Sequence, residues 1–184
     1  MARAVCVRCE RPLSVCLCAS LPAPVATATE LLILQHPAEA GHAKNTAAFL
    51  LLGLQSARLL RGEVFDPSLG AAGTALLYPG ADAAAAGPPG ATPPRRLILL
   101  DGSWRQSRRL LAANPWLAAL PRLSLAAGPS RYAIRRAHRP GQWSTLEAGL
   151  QALAQLEGAP ERFAPLWAAF DGFIAAPLER RARL

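Results

Sequence analysis

This chain of 184 residues lacks two features that would give it a place in or beyond a membrane. It has no run of about 18 uncharged apolar residues, the length that a membrane-spanning helix needs. Its first ten residues carry charges and cysteines rather than an apolar stretch, so no signal peptide is expected. We predict a cytoplasmic protein with no membrane partner. Its 52% hydrophobic content suffices for a core and excludes a disordered tail.

Lysine is nearly absent as well. The chain has 20 Lys and Arg against 12 Asp and Glu, a net charge of +8, yet Lys44 is the one lysine. A basic surplus favours a polyanionic partner such as nucleic acid. A GC-rich coding sequence also favours Arg, together with Ala, Pro, Gly and Leu. The charge by itself is therefore a weak argument for a nucleic-acid partner.

Cysteine is absent after residue 18, whereas residues 6–18 contain all four cysteines. Four thiolates make a closed tetrahedral Zn²⁺ site, and each close pair can form one side of it. Free or disulfide-bonded thiols are the alternative, but disulfides are disfavoured without a signal peptide. We predict a zinc-binding module with its linker at residues 1–24 and a second, larger domain at 25–184. The predicted ligands of a structural zinc are Cys6, Cys9, Cys16 and Cys18.

Beyond the cysteines, short apolar runs alternate with amphipathic segments. The predicted strands are residues 29–35, 56–60, 74–78 and 97–100. The predicted helices are residues 46–52, 103–114, a segment that starts at 144, and 163–175. This alternation predicts an α/β fold with a mainly parallel sheet. Ligands of such sheets bind beyond the carboxyl ends of the strands.

The segment after the first predicted strand is the first candidate site. His36 and Pro37 end the strand, and Glu39, Lys44 and Thr46 follow before a helix. The N–H groups at a helix start favour an anion, and a lysine nearby suits the same charge. Glu39 suits an ammonium group. The alternative, given equal weight, is a solvated loop with a salt-bridged lysine and a core histidine.

The segment after residues 97–100 is the second candidate site. Asp101 ends a buried strand, Gly102 permits a tight turn, and Ser103 opens a helix with a capping box. Trp104 could stack on a base or an adenine ring. The alternative assigns Asp101 to capping and Trp104 to the core.

The third candidate site combines two further segments. Tyr132 and Arg135 suit base stacking and phosphate contact. Thr145 and Glu147 start a later helix, where a capping box alone also explains the glutamate.

Taken in order from residue 6 to 148, these motifs resemble the DTW-domain family of tRNA-uridine aminocarboxypropyltransferases. One residue departs from the family pattern, because Ser103 stands where a threonine is usual; both hydroxyls can cap a helix. The matching motifs are Cys6-x-Arg8-Cys9-x-Arg11-Pro12-x3-Cys16-x-Cys18, His36-Pro37-x-Glu39 with Lys44-x-Thr46, Leu77-Tyr78-Pro79, Asp101-Gly102-Ser103-Trp104, and Tyr132-x2-Arg135 with Ser144-Thr145-x-Glu147-Ala148.

The resemblance implies a SPOUT-like α/β fold with a knotted region that binds S-adenosylmethionine in a bent shape. It implies transfer of the 3-amino-3-carboxypropyl group to N3 of a uridine in tRNA. The products would be 3-(3-amino-3-carboxypropyl)uridine and methylthioadenosine. Transfer of this group rather than the methyl group would depend on orientation.

On this basis each candidate residue receives a role. Asp101 is the candidate base at uridine N3, or alternatively an acceptor that positions the ligand, and His36 is its competitor as the base. The candidate contacts of S-adenosylmethionine are Glu39, Lys44, Thr46, Gly102, Ser103, Trp104, Thr145 and Glu147. The candidate contacts of tRNA are Arg8, Arg11, Tyr132 and Arg135.

Two other functions remain open from the sequence. An RNA methyltransferase could share the fold and the cofactor, and its product would differ in mass. A non-catalytic zinc-containing RNA-binding module would have no site for S-adenosylmethionine and would leave the residues around Asp101 without a role. The modified uridine and the oligomeric state are open as well.

Overall fold

The computed structural model describes residues 4–42, 45–80, 82–87, 92–126, 128–132 and 143–182, with side chains up to residue 175. Within these residues, one six-stranded sheet has the strand order β2-β1-β5-β3-β6-β4, and every pairing in it is parallel. The strands are β1 (Glu30–Gln35), β2 (Ala57–Arg61), β3 (Thr74–Leu77), β4 (Ala84–Ala85), β5 (Arg96–Asp101) and β6 (Arg122–Ser124). The predicted α/β fold with a parallel sheet is thereby confirmed.

Strands β4 and β6 were not predicted. They have two and three residues, and none of them is buried. Short strands at this side of the sheet carry no apolar run, so no periodicity indicates them. They form because the free edge of β3 pairs with β6, and the other edge of β6 pairs with β4.

In the part of the chain that the structure describes, four α-helices connect and cover the strands. They are α1 (Ala47–Gly53), α2 (Trp104–Ala113), α3 (Thr145–Glu157) and α4 (Ala164–Ala182). Ser103 with Gln106 and Ser144 with Glu147 form the two predicted capping boxes. The left-handed Gly158 ends α3, as is usual for a glycine after the last turn.

The sheet is covered on both faces, which explains its continuous apolar strands. Leu31 and Ile33 of β1 face α1, α3 and α4, whereas Leu32 and Leu34 face α2. Gly149 lets α3 come close to α1, because a Cβ there would lie 2.8 Å from a methyl group of Leu50.

The cysteine module packs on the face of the sheet that α1, α3 and α4 cover. Cys9 and Leu17 are buried in the same hydrophobic cluster as β1 and α4. Val25, just beyond the module, forms a parallel bridge with Leu54. The domain boundary at residue 24 stays a prediction, as does the knotted region.

None of the helices in the described ranges combines the length and apolar character required to cross a bilayer. The cytoplasmic location stays a prediction.

Candidate functional site

Three polar residues lie side by side at the carboxyl edge of the sheet. The strand register pairs Gln35, the last residue of β1, with Arg61 of β2 on one side and with Asp101 of β5 on the other. Each belongs to the strand positions that face α1 and α3, because side chains alternate along a strand. The carboxyl edge is where the sequence predicted a ligand.

Asp101 accepts hydrogen bonds from three side chains that arrive from different elements. Its Oδ2 accepts from Gln35 Nε2 at 2.8 Å and from Asn45 Nδ2 at 2.7 Å. Its Oδ1 accepts from Thr145 Oγ1 at 2.5 Å. The residue is only 3% exposed. Both oxygens are thus engaged in holding β1 and the starts of α1 and α3 together, which favours the positioning role over the role of a base.

The hydrogen-bonded chain continues from Asp101 to the cysteine module. Gln35 Oε1 accepts from Arg61 Nε at 2.8 Å, and the Arg61 guanidinium forms an ion pair with Glu10. Glu10 directly follows Cys9 and has a positive φ of 55°, which is uncommon outside glycine. The module is therefore linked to the carboxyl edge by charged and polar groups as well as by apolar packing.

The four cysteine sulfur atoms are arranged as a metal site requires. All lie within 4.8 Å of one another, with Cys6 and Cys18 3.8 Å apart and Cys9 and Cys16 3.7 Å apart. A tetrahedral zinc with Zn–S bonds of about 2.3 Å needs sulfur atoms about 3.8 Å apart. Backbone N–H groups of Cys9 and Arg8 lower the pKa of the Cys6 thiol to about 6, whereas burial and the neighbouring cysteines raise the pKa of the Cys18 thiol to about 12.

Two of the four predicted tRNA contacts lie in the interior. Arg11 is 2% exposed, its Nη1 donates to the Asn45 carbonyl at 3.1 Å, and its guanidinium lies 4.4 Å from the centre of the Phe173 ring. Burial lowers its pKa from the usual value for arginine. Tyr132 is 4% exposed and packs against Phe170. Neither side chain is presented to a tRNA backbone, which is a correction to both assignments.

The other two predicted tRNA contacts have different positions. Arg8 is exposed on the cysteine module, where a phosphate could reach it. Arg135 lies outside the described residues, and so does Lys44, a predicted contact of S-adenosylmethionine.

His36 lies just beyond β1, and its backbone N–H donates to the Asp101 carbonyl at 3.0 Å. Its Nδ1 accepts from the Ala38 N–H at 3.2 Å, which assigns the proton of the neutral ring to Nε2. Nε2 is buried and lies 3.4 Å from Glu63 Oε1, without a hydrogen bond to any described residue. Neutral His36 therefore offers a donor rather than a base at this edge.

Trp104 is exposed, contrary to the alternative that assigned it to the core. It is the first residue of α2 and remains 46% exposed. Its ring meets the edge of Tyr78 at a centroid distance of 5.8 Å, and Tyr78 Oη lies 3.4 Å from Ser107 Oγ. A tryptophan supported in this way can stack on a base or an adenine ring. Gly102 brings the chain close to Gln106, since a Cβ there would lie 3.0 Å from that side chain.

Glu147 and Thr46 are engaged by their own surroundings. Glu147 is fully buried, and its carboxylate accepts from Ser130 Oγ and from the N–H groups of Arg131 and Ser144. Thr46 Oγ1 accepts from the Leu146 N–H at 3.2 Å. These contacts match the capping-box alternative for Glu147 and leave neither side chain open to a ligand.

Glu39 borders an open groove between the cysteine module and α1. The groove has Gln35, Asn45 and Arg61 on its polar side and Leu52 on its apolar side. The half-buried Glu39 is the acid in this groove that has no ion pair with a described residue.

Gln35, Asn45 and Arg61 belong to the site but were not assigned to it from the sequence. Gln35 had one available signal, a polar residue that ends an otherwise apolar strand. Asn45 was a candidate N-cap in the polar segment before a predicted helix, and Arg61 had no signal. The parts of both in the site depend on the pairing of β1 with β2 and on the position of α1.

The family model of the DTW domain matches residues 3–178. The chain is 37% identical over 176 residues to tRNA-uridine aminocarboxypropyltransferase 2 of Drosophila melanogaster, which covers 85% of this chain and 68% of that protein. It is 35% identical over 170 residues to the protein of the same name from Macaca fascicularis, and the match covers 84% of this chain and 57% of that protein. For tRNA-uridine aminocarboxypropyltransferase A of Arabidopsis thaliana the identity is 31% over 140 residues, covering 61% and 52%. The chain thus spans between about half and two thirds of the length of these relatives. No solved structure matches it.

Proposed function

The chain belongs to the DTW-domain family, and from this premise we propose that it modifies uridine in tRNA. The specific reaction is transfer of the 3-amino-3-carboxypropyl group to uridine N3. The observation that carries the proposal is the extent of the match, since the family model includes both the cysteine module and the carboxyl edge. The names of three similar proteins, from an insect, a primate and a plant, support the same activity.

The residues at the carboxyl edge fit the proposed co-substrate, S-adenosylmethionine. Glu39 offers a carboxylate without an ion-pair partner among the described residues, which suits the ammonium group of the methionine tail. Trp104 offers an exposed ring for stacking on adenine or uracil. The buried Nε2 of His36 offers a hydrogen-bond donor. Lys44, Gly102 and Ser103 stay predicted contacts of the same ligand, and Arg8 and Arg135 stay predicted contacts of tRNA.

S-adenosylmethionine, when bound, supplies the carbon that bonds to uridine N3, while methylthioadenosine and the N3 proton leave. Asp101 contributes by orientation, because its carboxylate fixes Asn45 and Thr145 at the starts of two helices. Thr145 acts through this bond rather than as an independent contact. The four cysteines hold a structural zinc, since four sulfur ligands leave no open position for substrate. The SPOUT-like knot belongs to the same proposal.

The test uses purified protein, S-adenosylmethionine and unmodified tRNA transcripts, followed by mass analysis of the nucleosides. We expect uridine to gain the mass of one aminocarboxypropyl group, with methylthioadenosine in stoichiometric amount. A gain of one methyl group would instead identify a methyltransferase.

A second measurement separates an enzyme from a binding module. S-adenosylmethionine should raise the melting temperature by mass action on the folded state, and Glu39→Ala should reduce that shift. Binding of tRNA without any response to saturating S-adenosylmethionine would contradict the enzymatic proposal and support a non-catalytic RNA-binding module.

A further inference from the structure

Helix α2 carries three exposed arginines and no acidic residue. Arg105, Arg108 and Arg109 are exposed, and the sequence from residue 102 to 146 contains no Asp or Glu. None of the three side chains forms an ion pair or hydrogen bond with a residue that the structure describes. We call the exposed face of α2, with Arg105, Arg108, Arg109 and Trp104, the α2 surface.

Five arginines outside α2 form ion pairs with carboxylates, whereas Arg8, Arg95 and Arg122, like the arginines of α2, form none with a described residue. Arg58 and Arg96 share Glu30, and Arg61 pairs with Glu10. Arg131 and Arg162 pair with acidic residues as well. A GC-rich coding sequence explains how many arginines the chain has, but it does not explain why those on α2 lack acidic partners.

The arginines of α2 oppose the stability of their own helix. Arg105 and Arg109 are four residues apart and therefore neighbours on the helix surface, where like charges repel. Arg105 also lies in the first turn, where the helix dipole disfavours a cation and where α2 has no acidic residue. A polyanion bound at this surface would remove both penalties, which is the charge complementarity expected of a nucleic-acid backbone.

The α2 surface begins at the candidate site. Trp104 follows Asp101 by three residues, and Arg108 follows Trp104 by one helical turn on the same side of α2. An RNA whose phosphates contact Arg105, Arg108 and Arg109 would have its bases near the exposed Trp104 ring. Phosphate contacts set the position of the RNA, and stacking holds a base.

We propose that the α2 surface binds the sugar-phosphate backbone of the tRNA substrate, an inference that rests on the proposed function. The cysteine module lies on the opposite face of the sheet and is not required for this contact. The tRNA thus approaches from the α2 side of the carboxyl edge.

The experiment compares two double variants of the full chain with equal loss of charge. Arg105→Gln with Arg109→Gln removes two arginines from the α2 surface. Arg58→Gln with Arg95→Gln removes two exposed arginines from elsewhere; Arg95 directly precedes β5, at the opposite edge of the sheet. Binding to an unmodified tRNA transcript is measured by fluorescence anisotropy at several salt concentrations, and folding by melting temperature.

We expect the α2 variant to lose on the order of tenfold or more in affinity and its salt-dependence slope to fall by about 2, one for each phosphate contact. Its melting temperature should be unchanged or raised, because repulsion within α2 is relieved. The control variant should keep the wild-type slope. Equal slopes for the two variants would overturn the proposal. Competition by an acidic peptide as strong as that by tRNA would overturn it in favour of a protein partner.

Nucleoside analysis of the wild type keeps this inference separate from the proposed function. If the wild type is active and the α2 variant binds tRNA normally, the proposal for the α2 surface is overturned and the transfer activity stands. If the wild type is inactive and the α2 variant has a reduced salt-dependence slope of tRNA binding, the proposal for the α2 surface is supported and the transfer activity is overturned.

Discussion

The two sides of the sheet use the same residue type in opposite ways at the carboxyl edge. On the side of the cysteine module, Arg11 is buried beneath Phe173, and Arg61 is engaged by Gln35 and Glu10. On the other side, Arg105 and Arg109 are exposed and have no partner among the described residues. Arginines that are engaged internally stabilise the fold, whereas arginines left exposed are available to a polyanion. Variants of the engaged groups on the module side should therefore lower stability, and variants of the exposed arginines of α2 should lower tRNA binding.

The largest effect on the module side should come from the metal ligands. Cys9→Ser should lose zinc and lower the melting temperature together, because metal-binding free energy is also folding free energy, about 10–16 kcal/mol in small zinc modules. Metal content by elemental mass spectrometry and calorimetric unfolding measure both effects. Val7→Ala is the control, since Val7 lies between Cys6 and Cys9 and is 99% exposed. Metal-free protein of wild-type stability and activity would contradict the zinc site.

Substitution of Asp101 should have the next-largest effect, and two different substitutions separate its possible roles. Asp101→Ala leaves three side-chain donors without their acceptor and should cost about 2–4 kcal/mol in the free energy of unfolding. Asp101→Asn keeps one oxygen for Gln35 and Asn45, and the Thr145 hydroxyl can turn to accept from the new amide.

If Asp101 positions its neighbours, the Asn variant should retain most of the single-turnover rate and the Ala variant should lose it. If Asp101 is the base, the Asn variant should lose about 10²–10⁴-fold in the chemical step. Single-turnover rates with tRNA and S-adenosylmethionine both saturating decide between the two outcomes. His36→Ala, measured in the same way, tests the competing residue.

Substitution of Arg11 should have the smallest of these effects on stability. It also gives the sharpest contrast with the arginines of α2, because it should not change tRNA binding. Arg11→Met keeps an apolar stem but loses the cation–π contact with Phe173 and the bond to the Asn45 carbonyl, a cost of about 1–3 kcal/mol. Denaturant unfolding measures this loss, with the exposed Arg8→Met as the control. The salt slope of tRNA binding should stay at the wild-type value. A reduced slope at unchanged stability would show that Arg11 contacts RNA after all.

Local patterns in the sequence predicted much of the fold. The buried strands β1 and β5 and the two capping boxes depend on residues within a few positions of each other, and the structure places them close to the predicted bounds. Strands β4 and β6 escaped prediction because their pairing depends on a neighbouring strand edge rather than on their own composition. The capping box of α3 also identified the structural alternative for Glu147 correctly.

The sequence predicted the position of the candidate site well, but it predicted the roles of the residues there less well. The rule that ligands bind beyond the carboxyl ends of parallel strands selected His36 and Asp101, and the structure places both at that edge. Whether Asp101 has a free oxygen could not be read from the sequence. Its donors Gln35, Asn45 and Thr145 are 66, 56 and 44 residues away along the chain.

The sequence by itself determined the four-cysteine cluster, the order of the longer strands and of the helices, the capping boxes of α2 and α3, and the family. These features depend on residue type and on spacings of a few residues, which can be read from the sequence before the chain folds. Only the tertiary structure decided that Arg11 and Tyr132 are buried, that Trp104 is exposed and that the arginines of α2 form no ion pair with a described residue. Burial and ion pairing are set by groups that meet only when distant segments pack, so identical arginines end in different environments.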